Sequence, residues 1–320
     1  MTDRKLRKIL IIGAAGKMGK WFFEYFVNMK KNFNHKSNTS DLSIDKIFLY
    51  DIKKIDYTSL INDKDIVITN NIYESVKISD IIVFCIPVNE IIKIITCKTV
   101  SFKQGTIIIE ISSIKSNIHK VLSNISIKFN VTTLCIHPMF GPGASIFAIN
   151  KIIFIPVNIN KGKNEENLIN SLFPSFEKIT IKSPEKHDLA ISIIISLIYF
   201  INLVFSKFIV EISNSKEFQF EESPIHFLRK VSGNTFKIQS LLSESILTDD
   251  ISLFLTLFVD NDKSVTTISK YGQLFNNLLD KIEKKDNVSI KEYVLSVRNT
   301  INKDVDINQS YYLLYKFLNS

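Results

Sequence analysis

The feature that most constrains the fold is an apolar strand followed at once by glycines near the start of the chain. Residues Lys8 to Ile12 have the composition of a buried parallel strand, and a helix is predicted from Lys20 to Lys31. A strand, a glycine-rich loop and a helix in this order leave unpaired backbone amides at the helix N-terminus, where a pyrophosphate binds. The predicted cofactor-binding loop consists of Gly13, Ala14, Ala15, Gly16, Lys17, Met18 and Gly19, with Ala14 standing where the first glycine of the GxGxxG pattern would fall.

The second predicted strand, Lys46 to Tyr50, ends on Asp51. A carboxylate at this position accepts hydrogen bonds from the ribose 2′-hydroxyl, which favours NAD over NADP. Lys53 and Lys54 follow closely and would suit a 2′-phosphate, so NADP stays possible. The spacing from the glycine loop is longer than usual because an Asn/Ser-rich insertion is predicted from Asn32 to Asp45.

Further strands are predicted at 65–69, 80–85, 106–110 and 131–136, with helix-length segments between them. Strands that alternate with helices form a parallel, doubly wound sheet. We therefore predict an α/β chain in which a Rossmann-like dinucleotide-binding domain, residues 1–183, precedes an all-helical domain, residues 184–320. Ser183 and Pro184 have the composition of a helix start at that boundary.

The strand ends supply the candidate chemistry, because ligands of open α/β sheets bind at the carboxyl edge. Pro87 follows one strand, where we expect it to contact the cofactor, and Ser113 follows another. His137 ends the strand that precedes Pro138 to Ala144, a turn-rich loop. An imidazole at this edge is a suitable proton acceptor near neutral pH. The alternative is that His137 only makes local hydrogen bonds at the strand end.

The second half of the chain has a helical pattern, and its run from Leu189 to Val210 is apolar and long enough to cross a membrane. Polar residues interrupt the run, among them Ser192, Ser196 and Asn202. A helix that is hydrophobic all round also occurs at a core or a subunit interface. We therefore favour a homodimer that forms through the C-terminal helices, with no membrane partner.

Composition bounds the remaining classes of function. The 320 residues are 45% hydrophobic and 22% charged, which is typical of globular domains. The formal charge of +8 comes from scattered lysines without an arginine-rich run, which argues against a nucleic-acid partner. Three cysteines without CxxC spacing predict free thiols in a reducing, cytoplasmic setting and no metal site.

Four stretches in this order carry a resemblance to a known family: Gly13 to Gly19, Glu110 to Lys115, His137 to Pro142, and Lys186-His187-Asp188. With them the chain resembles the prephenate/arogenate dehydrogenase family. The resemblance implies an N-terminal NAD(P)-binding domain and a dimerising helical C-terminal domain. It also implies oxidative decarboxylation of prephenate to 4-hydroxyphenylpyruvate, or of arogenate, in tyrosine biosynthesis.

The resemblance also assigns roles to individual residues. His137 would accept the proton of the ring hydroxyl. Ser113 would hydrogen-bond that hydroxyl and orient the histidine, unless it only caps the following helix, predicted from Lys115 to Leu122. His187 would bind the substrate or be an ordinary first-turn helix residue.

The chain departs from the family pattern at two predicted substrate positions. Tyr199 stands where a second helical histidine is common, and Ser245 stands where an arginine usually holds the side-chain carboxylate. Lys237 and Arg229 are the candidate replacements for that arginine. Two alternatives therefore stay open: a related dehydrogenase of another acidic substrate, and a catalytically silent dinucleotide-binding paralogue.

Overall fold

A computed structural model describes residues 6–33, 43–56, 63–158, 162–215 and 223–318. The chain divides into two compact units, residues 1–191 and 192–320. The first unit therefore extends past the predicted domain boundary at 183/184 and includes the helix that follows it. Most of the predicted insertion between Asn32 and Asp45 lies outside the described residues.

The first unit is built on one sheet, which contains eight strands within the described ranges. The strands are β1 (Leu6–Ile12), β2 (Ser43–Tyr50), β3 (Ile66–Ile68), β4 (Ile81–Phe84), β5 (Ile107–Glu110), β6 (Thr132–Pro138), β7 (Lys151–Ile155) and β8 (Glu177–Thr180). Their order across the sheet is β3-β2-β1-β4-β5-β6-β7-β8. This order reverses direction at β1, between β2 and β4, which is the position where doubly wound sheets bind ligands.

All strand pairs are parallel except β6 and β7, which are antiparallel. The strands predicted to form a parallel sheet, β1 to β6, are all parallel, and the antiparallel pair begins only beyond them. A parallel neighbour requires a crossover, usually through a helix, whereas the segment 139–150 contains turns only. The chain therefore reverses direction directly after His137.

Helices cover both faces of the sheet. They are α1 (Lys17–Phe33), α2 (Ile72–Ile78), α3 (Val88–Thr96), α4 (Ser116–Phe129), α5 (Gly162–Leu172) and α6 (Pro184–Ile191). One core combines aromatic side chains of α1, such as Phe22 and Phe26, with residues of α5 and the strands. The other core combines α2, α3 and α4 with the opposite face of the same strands. The predicted doubly wound architecture is confirmed.

The second unit is helical, as predicted. It begins with a π-helical segment, Ser192–Leu197, and continues with α7 (Ile198–Ser213), α8 (Pro224–Val231), α9 (Asn234–Ile246) and α10 (Ile251–Leu255). A second π-helical segment, Thr256–Asp260, is followed by α11 (Asp262–Glu283), α12 (Asn287–Ile301) and α13 (Ile307–Leu318).

The apolar helical stretch Pro184–Ser213 buries several of its polar residues and leaves many of its apolar residues exposed. Its mean hydropathy of 2.4 and its length would allow it to cross a membrane. Ser192, Ser196 and Asn202 are buried, whereas Ile193 is 49% exposed and Phe208 54%. The side-chain amide of Gln239 and the hydroxyl of Ser243 both donate to Asn202 Oδ1, at 2.8 and 2.7 Å.

Candidate active site

The site is organised around His137, which is the penultimate residue of β6 and is 4% exposed. Strands β5 and β7 flank β6 on its two sides, and His137 is paired with Ile153 of β7. The chain leaves the sheet after Pro138, so the imidazole is fixed at the carboxyl edge by a rigid strand. This placement agrees with the prediction from the strand-then-loop pattern.

A second histidine contacts His137. His187 lies in α6 and is fully buried, and its Nε2 lies 3.0 Å from His137 Nδ1. Its other ring nitrogen, Nδ1, lies 2.8 Å from Oδ1 of Asp188. The three side chains therefore form a continuous hydrogen-bonded chain. His187 is thus part of the site and not only a first-turn helix residue.

Asp188 is anchored by the start of α4. Its carboxylate accepts hydrogen bonds from the backbone N–H groups of Lys115 and Ser116, each at 2.8 Å, and from the Ser116 hydroxyl. It therefore caps a helix that lies 72 residues away in sequence. Burial alone would raise the pKa of Asp188, but the hydrogen bonds from His187 and Ser116 hold that pKa below its usual value. Asp188 is accordingly an ionised hydrogen-bond acceptor.

A buried ion pair holds the strand ends together beside His137. Glu110 ends β5, and its Oε2 accepts a hydrogen bond from Lys115 Nζ at 2.7 Å, with both side chains fully buried. Lys115 Nζ also donates to the backbone carbonyl of Ile136 at 2.6 Å, and the Ser112 N–H donates to Glu110 Oε1. One lysine thus links β5, the start of α4 and the residue before His137.

The surroundings of His137 favour its neutral form. Burial, the positive charge of Lys115 and the contact with His187, in this order, lower the pKa of His137 well below its ordinary value of 6.5. A neutral imidazole with one nitrogen bonded to His187 has its other nitrogen available to accept a proton. This arrangement suits a base at neutral pH.

Ser113 is half-buried in the loop between β5 and α4. Within the described residues, no hydrogen bond joins Ser113 to His137. The alternative prediction that Ser113 caps the next helix is wrong, because the N-cap position of α4 is Lys115 and the capping carboxylate comes from Asp188. That helix begins at Ser116 and not at Lys115. The role of Ser113 towards a substrate stays a prediction.

The glycine loop is shaped for close backbone approach. Gly13 has φ +87°, and a Cβ added there would lie 2.4 Å from the carbonyl oxygen of Cys85 at the end of β4. A Cβ on Gly19 would lie 2.0 Å from the carbonyl oxygen of Gly13. Ala14 needs no glycine, because its neighbour Gly13 makes the tight turn. The glycine loop and α1 therefore pack as closely as a dinucleotide-binding site requires.

Asp51 lies against this loop. Its Oδ2 accepts a hydrogen bond from the Ala15 N–H at 2.9 Å, and its Oδ1 accepts one from the Lys53 N–H at 2.8 Å. Lys53 and Lys54 are exposed, and Pro87 is the exposed N-cap residue of α3, directly after β4. These residues fit a dinucleotide, whose nicotinamide would accept a hydride when bound.

The loop after His137 is attached to α1 by Trp21, the single tryptophan of the chain. Its indole N–H donates to the carbonyl oxygen of Ala144 at 2.8 Å, and its ring lies 4.7 Å from that of Phe140, centroid to centroid. A cavity of about 360 Å³ lies between this helix and the loop. It is lined by Lys17, Lys20, Trp21, Glu24, Pro142 and Gly143.

The predicted substrate residues of the second unit each have a different local environment. Tyr199 donates its hydroxyl to Asp249 Oδ2 at 2.7 Å. Arg229 is exposed and paired with Glu244, whereas Lys237 is an exposed residue of α9. Ser245 is also exposed, and its hydroxyl donates to the carbonyl oxygen of Leu242.

Three residues that sequence reasoning left without a role belong to the site: Glu110, Lys115 and Asp188. Each lies in a stretch that carries the family resemblance, but the sequence does not indicate which residues pair. A glutamate at the end of the apolar run Ile107–Glu110 was the available signal, because a carboxylate in a buried strand requires a cationic partner.

Fold and site together define a class: a Rossmann-type nucleotide-binding protein with a buried histidine–histidine–aspartate chain at the ligand edge of its sheet. Within this class, residues 43–171 match the family model of the prephenate dehydrogenase nucleotide-binding domain. In this region the chain is similar to prephenate dehydrogenases, as the resemblance predicts.

Individual relatives agree with this assignment. A probable arogenate/prephenate dehydrogenase of Methanocaldococcus jannaschii is 28% identical over 225 residues, which are 69% of this chain and 46% of that protein. The chain thus spans about half the length of this curated relative.

Two solved structures share the fold. The prephenate dehydrogenase of Aquifex aeolicus, in complex with hydroxyphenyl propionate and NAD+, superposes with a TM-score of 0.67 at 19% identity, covering 93% of this chain and 98% of that one. Synechocystis arogenate dehydrogenase gives a TM-score of 0.59 at 14% identity, covering 93% and 100%.

Proposed function

We propose that this protein is a nicotinamide-dependent oxidoreductase that oxidatively decarboxylates prephenate or arogenate. The observation that carries the proposal is the buried His137–His187–Asp188 chain, which lies at the same carboxyl edge of the sheet as the glycine loop. A base at this edge would act on a substrate that is bound beside the dinucleotide and loses a proton. The match of residues 43–171 to the prephenate dehydrogenase family model supports the same substrate class.

The reaction requires a neutral base at the substrate's ring hydroxyl. His137 would accept that proton as a hydride leaves the same carbon, which converts the carbinol into a carbonyl. Loss of the ring carboxylate as carbon dioxide then sends its bonding electrons into the ring, giving an aromatic phenolate. His137 would return the proton to the phenolate oxygen, so the residue is regenerated. The low pKa of His137 keeps it in the accepting form at neutral pH.

NAD is the proposed cofactor, with NADP as the alternative. Asp51 lies at the end of β2 with its carboxylate against the glycine loop, and a 2′-phosphate would meet this negative charge. The exposed side chains of Lys53 and Lys54 are the features that would favour NADP.

A second copy of the chain is the proposed macromolecular partner. Burial of Ser192, Ser196 and Asn202 leaves apolar residues of the stretch Pro184–Ser213 exposed, and these require cover by another apolar surface. The hydrogen bonds to Asn202 hold this polar side chain inside the helical bundle. The residues that stay exposed on the stretch are therefore largely apolar, which suits pairing with a second copy. No nucleic-acid or membrane partner is proposed. We propose a cytoplasmic location, which suits the three unpaired cysteines.

A dehydrogenase of another acidic substrate is the second candidate, and the surroundings of Arg229 and Ser245 favour it. Arg229 is already neutralised by Glu244, and Ser245 has no charge. A buried carboxylate requires a cationic partner, which neither residue offers in its present state.

The test is a steady-state assay of purified protein with prephenate and arogenate, each with NAD and with NADP. We expect turnover of at least one of the two substrates, with carbon dioxide released in equal amounts to reduced cofactor. Turnover of neither, with intact NAD binding, would move the second candidate ahead. Absence of both binding and turnover would instead overturn the assignment of a dinucleotide-binding site.

A further inference from the structure

The base in this site poses a chemical problem. Burial and the charge of Lys115 make His137 reluctant to carry a positive charge, yet a general base must hold the proton it abstracts. Within the described residues, Lys115 at the start of α4 acts on His137 by its charge, and Asp188 of α6 contacts His187. Glu110 of β5 contacts Lys115, and the thiol of Cys135 in β6 contacts Glu110. Glu110 is neutralised by Lys115, and burial raises the pKa of the Cys135 thiol. Asp188 is therefore the anion available to stabilise a proton.

We infer that Asp188 is a positioning residue that fixes the tautomers of both histidines and makes His187 the resting place of the abstracted proton. The inference deepens the proposed function and rests on it for the identity of the proton donor.

The charge of Asp188 determines which atoms donate and which accept in the chain Asp188–His187–His137. Asp188 is ionised and can only accept, so His187 must donate to it from Nδ1, which lies 2.8 Å from Asp188 Oδ1. Nε2 of His187 is then an acceptor. Because Nε2 faces His137 Nδ1 at 3.0 Å, His137 must donate from Nδ1. The lone pair of His137 is thereby placed on Nε2, the nitrogen that faces away from His187.

Abstraction of the substrate's proton shifts a proton along both histidine rings. When the substrate O–H bond breaks, the proton binds His137 Nε2, and the Nδ1 proton of His137 moves to His187 Nε2. His137 is again neutral, and the positive charge lies on His187, whose Nδ1–H remains bonded to the Asp188 carboxylate. The reverse shift returns a proton to the phenolate oxygen, so no proton is gained or lost by the chain.

The hydrogen bonds that anchor Asp188 hold its carboxylate as the acceptor for His187 throughout the reaction. The backbone amides of Lys115 and Ser116 hold the carboxylate in one orientation, and the positive end of the α4 dipole stabilises its charge. A carboxylate with these fixed donors does not rotate or accept a proton when His187 becomes charged. The order of donors and acceptors is thus set by the fold before any substrate binds.

The test is nitrogen NMR of the intact, ligand-free protein labelled with 15N-histidine at neutral pH. The chain has five histidines, and spectra of His137→Asn and His187→Gln assign the two of interest. We expect His137 and His187 both to be protonated on Nδ1, with Nε2 of His137 unprotonated. A wild-type His137 protonated on Nε2, or a His187 that is not protonated on Nδ1, overturns the inference without any variant.

Asp188→Asn tests the cause. An amide can donate as well as accept, so we expect His187 to lose its fixed Nδ1 tautomer and His137 to shift towards Nε2–H, with kcat reduced roughly 10²–10⁴-fold. The matched control is Ser183→Ala, which removes the hydroxyl that accepts from Lys186 N–H at the start of the same helix. It should leave both tautomers unchanged. Retention of the wild-type tautomers in Asp188→Asn would overturn the inference.

The tautomer measurement requires no substrate, so its outcome is separate from that of the proposed function. Predicted tautomers in a protein that turns over neither prephenate nor arogenate would overturn the proposed function alone. Turnover with the opposite tautomers would overturn the inference alone.

Discussion

At the scale of single residues, the site depends on how burial and charge act on one imidazole. His137 is placed by a strand, kept neutral by its surroundings and hydrogen-bonded on one side only within the described residues. None of these three properties follows from the residue type. A histidine in water would be partly charged near neutrality and would point its nitrogens in no fixed direction.

His137→Asn is the direct test of the base. Asparagine can still donate to His187 Nε2, so the fold should persist, but it cannot accept a proton. We expect kcat to fall roughly 10²–10⁴-fold while the Kd for NAD changes little. Steady-state kinetics and isothermal titration with NAD measure the two effects. Full activity of the variant would move the base elsewhere, with His187 as the next candidate.

The pH dependence of the parent enzyme should have a definite sign. Because the pKa of His137 is lowered from 6.5, the accepting form persists at pH values where an ordinary histidine is charged. Activity should therefore be retained at pH 6.5 and fall only below it, as the histidine chain takes up a proton. A pH profile of kcat/KM in the parent measures this. An acidic limb centred above pH 6.5 would contradict the environment described for His137.

Asp51→Asn tests the choice of cofactor. Removal of the carboxylate's charge should narrow the preference for NAD over NADP by roughly tenfold, because a 2′-phosphate would no longer face a negative charge. The ratio of kcat/KM values for the two cofactors is the measurement, and Asp56→Asn, a nearby exposed acid, is the control. Equal use of both cofactors by the parent protein would show that Lys53 or Lys54 dominates.

At the scale of elements, the Glu110–Lys115 pair joins the ends of β5 and β6 to the start of α4. Both charges are fully buried, so removal of one leaves the other without compensation. Lys115→Met should lower the free energy of unfolding by about 3–5 kcal/mol, and the double variant Glu110→Gln/Lys115→Met should recover most of this loss.

Urea denaturation of both variants measures the effect. Lys103→Met is the control, because Lys103 forms its ion pair with Asp80 while half-exposed. A Lys115→Met variant as stable as the parent would show that the buried pair does not hold these elements together.

Substitutions in α8 and α9 test where a substrate carboxylate binds. Lys237 is exposed and lies two turns before Ser245 in this helix, which is close to the same face. If Lys237 replaces the family's arginine, Lys237→Ala should raise KM about tenfold or more, with a salt-sensitive kcat/KM, and Ser245→Arg should lower KM. Arg229→Ala is measured beside them. No change in any of the three would place carboxylate recognition outside α8 and α9.

At the scale of the whole molecule, the exposed apolar residues of the second unit predict a homodimer. The candidate interface residues are Ile193, which is exposed, and Leu197 and Phe200, which are half-buried. Ile193→Asp together with Phe208→Asp should convert a dimer into a monomer at micromolar concentration. Analytical ultracentrifugation measures this, with Ile127→Asp, an exposed isoleucine of α4, as the control. A parent protein that is monomeric at this concentration would overturn the dimer.

The sequence by itself determined the architecture and the position of His137. Apolar runs that alternate with helical segments specify a doubly wound sheet, and a glycine loop after β1 specifies its ligand edge, because both patterns depend on neighbours along the chain. His137 was predictable for the same reason, since the strand and the loop around it are local features.

Only the tertiary structure decided what His137 contacts and how the sheet continues beyond it. The hydrogen bonds between His137 and His187, from α4 to Asp188 and from Lys115 to Ile136 join segments that are far apart in sequence. The antiparallel β7 likewise depends on how a turn-rich loop packs against Trp21. Pairings of this kind depend on packing in three dimensions, which local periodicity and residue type do not encode.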